Sequence, residues 1–82
     1  MARGRMTGAD APALRALAGQ MSQSAAQLER TRQSIRARLY SINWQGADGA
    51  TFRQSWDAQH GPMLTRVAEG LRASADRLLR EA

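Results

Sequence analysis

Large apolar residues recur along the first half of the chain at seven-residue intervals: Leu14, Met21, Leu28, Ile35 and Ile42. Leu17, Ala18, Ala25 and Leu39 fill intervening places on the same side, so the spacing predicts one amphipathic helix over residues 10–43. Pro12 suits its opening turn, where a missing N–H removes no bond. A straight helix drifts by roughly 20° per heptad against such a repeat, which favours left-handed supercoiling about a neighbour. Ser24, Thr31 and Arg32 interrupt the stripe, and Gly19 within it suggests a close approach by another backbone. In the second half, Phe52, Trp56, Met63, Val67, Leu71, Ala75 and Leu78 follow mostly in steps of three or four. They predict a second helix over residues 48–81, with Asp48 placed to accept the unpaired N–H groups of its first turn. Gly61-Pro62 predicts a kink or break near 61–62, because proline loses one backbone bond and crowds the carbonyl of Ala58.

The strongest turn signal between these helices is Trp44-Gln45-Gly46, near the midpoint. A turn over residues 44–47 leaves two arms of about 32 residues, roughly 48 Å each at 1.5 Å per residue. Matched lengths predict an antiparallel helix-turn-helix hairpin in which Trp44 plugs the end and Gly46 adopts a left-handed conformation. A recognition groove at the hairpin tip is the functional alternative for these residues. Each apolar stripe is wider than one neighbour covers. The reading is therefore all-α: a single domain over residues 10–82 that dimerises into a four-helix bundle, preceded by a basic tail at residues 1–9. The residues assigned to its core or dimer interface are Leu14, Leu17, Met21, Leu28, Ile35, Leu39 and Ile42 in the first arm. In the second they are Phe52, Trp56, Met63, Val67, Leu71 and Leu78.

Composition pushes the same way. The 82 residues include no cysteine and one histidine, which excludes disulfides, thiolate metal sites and a histidine-built metal centre. Small scaffolds without such staples depend on oligomerisation. No acid/base partner accompanies His60, and no base signature accompanies the serines, so no catalytic, cofactor-binding or metal residue is assigned. A non-enzyme is expected.

The net charge of +5 rests on 12 arginines without a lysine, and the excess lies in the tail and first helix. Its densest run is Arg30, Arg32, Arg36 and Arg38. Counting heptads from Leu28 puts Arg32 and Arg38 beside the seam, as candidate contacts to an acidic partner, with Arg30 and Arg36 outward. In the second helix, Arg53/Asp57, Arg72/Asp76, Asp76/Arg80 and Arg77/Glu81 are spaced for i,i+4 pairing on the solvent face. Neither stacking aromatics nor a recognised DNA-binding motif accompanies the arginines, so nucleic acid is a minor alternative, and an anionic membrane surface is another. No apolar run approaches the ~20 residues of a membrane span. Asp10 and Arg15 interrupt any signal-peptide core, so no cleaved leader is expected.

Central Trp44-Gln45-Gly46, a helix on either side and a length near one hundred residues resemble the WXG100 family of ESAT-6-like hairpins. Phe52, Trp56 and His60-Gly61-Pro62-Met63-Leu64 are similar to the second helix of actinobacterial members, and the Ala- and Arg-rich, Lys-free composition fits such sources. The resemblance covers residues from about 10 to 82. It implies a non-enzymatic dimer exported by a bacterial type VII secretion system, cytoplasmic before export and extracellular after it, without a cleaved signal peptide. The system's ATPase motor is then a partner. A homodimer is favoured over a heterodimer with a paralogous hairpin, because both stripes are continuous. The chain departs from the family at its carboxy-terminal Tyr-x-x-x-Asp/Glu signal. The only tyrosine is Tyr40, Trp44 stands where the acid belongs, and Leu78-Leu79-Arg80-Glu81-Ala82 lacks the motif. The export determinant is expected elsewhere or on a partner.

Overall fold

A computed structural model describes residues 10–44 and 46–82, so the calls made for the 1–9 tail and for Gln45 lie outside the described residues. Helix α1 runs Ala11–Ser41, α2 runs Ala47–Ser55, a π-helical turn covers Trp56–His60, and α3 runs Gly61–Glu81. The first helix returns antiparallel against α3, which makes a hairpin of two long arms. Its extents of 63 × 17 × 12 Å describe a single layer, one helix thick.

The ends follow local chemistry. The Leu14 N–H donates to the Asp10 carbonyl at 3.0 Å, with Pro12 in the opening turn. At the far end, Ile42 leaves the helix with ψ 134° while its N–H still reaches the Arg38 carbonyl at 3.1 Å. The second arm starts one residue earlier than the expected Asp48. Gly46 is the cap residue without a side-chain cap bond, and Asp48 lies inside the first turn. Its carboxylate therefore faces the helix N-terminus as a charge rather than as a cap.

Gly46 also departs from the left-handed helical conformation expected of it. At φ 95°, ψ 176° it occupies the mirror-image extended region, which is essentially open to glycine alone. Gly49 is as constrained for a different reason. A Cβ there would stand 2.7 Å from Trp44 Cγ and 2.8 Å from the Trp44 carbonyl oxygen. The indole thus lies across the start of α2, with its ring 5.7 Å from that of Phe52. Gly46→Ala and Gly49→Ala are each expected to lower stability by about 1–3 kcal/mol, through strain and overpacking respectively. Urea unfolding followed by circular dichroism measures both. An unchanged midpoint in either variant would show that the turn is looser than described.

The second arm is interrupted just before Pro62 but does not end there. The residues before it form the π turn, in which the Gly61 N–H reaches back to the Trp56 carbonyl. A widened turn contains one residue more, and this separates the proline ring from the carbonyl it would crowd in an α-helix. Gly19, expected beside another backbone, meets nothing within 4 Å in this chain.

The seam between the arms differs from the expected leucine stripe. Ala18 and Ala25 of α1 and Ala68 and Ala75 of α3 are the most deeply buried apolar residues described, with Ala11 and Gly61 continuing each series at the same seven-residue step. Small side chains let the helices approach closely along the open half of the hairpin. Towards the turn, Leu39 and Trp56 take over.

Candidate functional site

At about 100° per residue, the heptad series Leu14, Met21, Leu28, Ile35 and Ile42 runs three residues behind the seam series Ala11, Ala18, Ala25 and Leu39, about 60° round the helix on one side of it. Leu14 is 8% exposed, Met21 and Leu28 are half-buried, Ile35 reaches 36% and Ile42 54%. Leu17 lies about a quarter turn from the seam on this same side and is 44% exposed.

On α3, Leu64, Leu71 and Leu78 flank the seam and are half-buried, while Val67 and Met63 stand farther round at 48% and 52% exposed. The angular sense is the same as on α1. Two antiparallel helices are related by an axis perpendicular to their common plane, so equal angular offsets place side chains on the same face. Leu14, Leu17, Leu28, Ile35, Leu64, Val67 and Leu71 therefore share one broad side of the hairpin. Among the described residues nothing packs over it, because the molecule is one helix thick.

Of the residues assigned to core or interface, the structure buries Leu14, Leu39 and Trp56. It half-buries Met21, Leu28, Leu71 and Leu78, and leaves Leu17, Ile35, Ile42, Phe52, Met63 and Val67 exposed. Trp44 and Phe52 extend the apolar surface to the tip. Sequence reasoning missed Ala68 and Gly49. Their signals were a second small-residue heptad through Gly61, Ala68 and Ala75, and a glycine three residues after Gly46.

The opposite broad side carries the charged pairs, with Leu79 exposed near the open end. Arg36 Nε donates to Asp57 Oδ1 at 3.0 Å, and the Tyr40 hydroxyl donates to Asp57 Oδ2. The Arg36 guanidinium also lies 4.7 Å from the centre of the Tyr40 ring. Glu29 accepts from Arg32 at 3.0 Å and pairs across the hairpin with Arg72 at 3.7 Å. These bonds correct two expectations. Arg36, expected outward, reaches Asp57 of the second arm while staying largely exposed, because the seam follows the Ala25 and Leu39 series and not a count begun at Leu28. The expected i,i+4 pairs within the second arm do not form among the described residues: Asp57 bonds α1, Arg72 bonds Glu29, and Arg53 donates to the Trp44 carbonyl at 3.4 Å. Arg38 is exposed, and its carbonyl accepts the Ser41 hydroxyl.

The Tyr40 hydrogen bond, and then the Arg36 guanidinium, hold the Asp57 carboxyl below the ordinary aspartate range. The same bond raises the Tyr40 phenol. A depressed carboxylate stabilises the fold fully above its unfolded value, and that contribution is lost as pH falls through the folded one. Asp57→Asn is therefore expected to flatten the loss of melting temperature on acidification below about pH 4. The difference from wild type should shrink in high salt, since these groups face solvent. Parallel acid titrations of both proteins check this, and superimposable pH profiles would refute it.

No family model, curated protein or solved structure matches the chain. Among the described residues, no helix is long and apolar enough to cross a membrane. No group of three metal-ligating side chains comes together there either.

Proposed function

We propose that this hairpin is half of a four-helix bundle, and that it works as a non-enzymatic protein exported by, or partnering a substrate of, a type VII secretion system. The observation that carries the first part is the apolar side shared by both arms, with Leu17, Ile35 and Val67 open on it. Burying such surface contributes roughly 25 cal/mol per Å², enough for a few side chains from each copy to hold a small dimer together. The face suits a second copy, because a two-fold axis through its middle sets the same residues against themselves. The second part rests on the likeness of Trp44, Gly46 and the flanking helices to WXG100 hairpins. A turn in which Trp44 covers Gly49 beside a glycine-only backbone at Gly46 accords with it.

Light scattering coupled to size exclusion tests the bundle: twice the chain mass at micromolar concentration supports it, and a folded monomer overturns the homodimer. Secretion is tested separately, by expressing a tagged chain in an actinobacterium with and without its type VII ATPase. Appearance in the medium only when the motor is present supports export. Equal amounts in both strains would remove it.

A further inference from the structure

On the side opposite the apolar face, where the π turn meets α1, a groove of about 680 Å³ is lined by Arg32, Arg36, Trp56, Asp57, Pro62 and Arg66, together with Gly61 and Thr65. Three observations there are unrelated to the apolar face. The Trp56 side chain is only 8% exposed, yet its indole N–H is the one buried side-chain donor among the described residues without an acceptor. A buried donor left unpaired costs free energy that an incoming acceptor recovers. Gly61 leaves room beside the indole, since a Cβ there would stand 3.4 Å from Nε1 and 3.2 Å from the Trp56 carbonyl oxygen, although Nε1 itself is covered from solvent. Three guanidinium groups face one carboxylate in the lining, and Arg66 has no ion-pair partner among the described residues. The backbone that shapes the groove is a single π turn, a local distortion that proteins tend to keep at working sites.

We infer that this groove is a binding site for an acidic peptide segment, whose carboxylate is held by Arg66 and Arg32 and also accepts from the Trp56 indole N–H. The surface already shows the chemistry: Glu29 and Asp57 occupy Arg32 and Arg36 in cis. The fork of a guanidinium matches a planar carboxylate through paired N–H bonds. The volume far exceeds a lone ion, and Pro62 with the indole gives an apolar wall for the stem of the acidic side chain. An incoming carboxylate competes with Glu29 for Arg32, so the site responds to the partner's charge without needing the hairpin to open. It lies on the side opposite the proposed dimer face and is independent of it.

The test uses the ¹⁵N-labelled full chain and the indole N–H resonances of its two tryptophans, with Trp56 assigned by comparison with Trp44→Phe. A short capped glutamate-rich peptide is expected to shift the Trp56 resonance saturably, with a dissociation constant on the order of 0.1 mM. Arg66→Gln, an exposed change that leaves the helical circular dichroism intact, should weaken binding at least tenfold. The glutamine counterpart of the peptide, and sodium phosphate at equal concentration, should leave the resonance in place. A static resonance, an equal response to the glutamine peptide or to phosphate, or unaltered binding by Arg66→Gln would each overturn the assignment. Dimer formation is read separately by light scattering, so failure of one proposal is distinguishable from failure of the other.

Discussion

Leu17→Glu combined with Val67→Glu is expected to leave the hairpin helical while weakening self-association at least 100-fold. Each side chain projects about a quarter turn from the alanine seam, one from either arm, and each is close to half exposed in the single chain. Neither change removes a contact in the seam, so the cost to the isolated hairpin is small, as for most surface substitutions. In a bundle, however, the two copies present four new carboxylates to a surface that offers them no partner. Burying charges without compensation costs several kcal/mol, and about 2.7 kcal/mol already corresponds to the stated factor. The matching control places the same charges at Ala73 and Arg77, which lie outward on α3. Light scattering should report a monomer for the first variant and an unchanged mass for the control. A dimer that survives both glutamates would mean that the bundle, if formed, uses another surface.

That face was legible in the sequence because large apolar residues at period seven stand out from an otherwise polar background. Leu14, Met21, Leu28, Ile35 and Ile42 defined the helix, its direction and the side that matters. The sequence did not reveal which part of the stripe touches the hairpin's own second arm. The seam runs through Ala11, Ala18, Ala25 and Leu39, three residues before members of the stripe, so the stripe lies beside the contact, and Ile42 is already past the end of α1. The same three-residue offset sets Arg36, expected outward, beside the seam as the partner of Asp57. At the turn, Trp44 and Gly46 were visible as a bend. The pairing of Trp44 with Gly49 was not, since a second glycine in a loop carries no mark of what lies over it. Gly61-Pro62 announced a local conflict with helical geometry. The chain answers with an added residue in a π turn over Trp56–His60, whose Asp57 bonds Arg36 and Tyr40 of α1.

The alanine seam is where a conservative enlargement should do the greatest damage. Ala25 and Ala68 are fully buried between the arms, and their series repeats every seven residues on both helices. This signal hid in the sequence because alanine is also a common surface residue of helices, as Ala13, Ala37 and Ala73 show here. Ala68→Leu adds three carbons where no space exists, and a two-helix layer has no third element to absorb the shift. Overpacking a tight core costs about 1–3 kcal/mol. For a domain of this size that lowers the melting temperature by roughly 5–20 °C. The strain has only one outlet, separation of the arms, and separation breaks bonds that depend on their approach: Arg36 to Asp57, and Glu29 to Arg72. Ala73→Leu, on the exposed side, should be nearly neutral. Thermal unfolding of the two variants decides the matter. Equal stability would mean that the arms are held apart by larger side chains and that alanine merely fills the space between them. A loss confined to Ala68→Leu would identify close helix approach as the contact on which the ion pairs, the turn and the apolar face all depend.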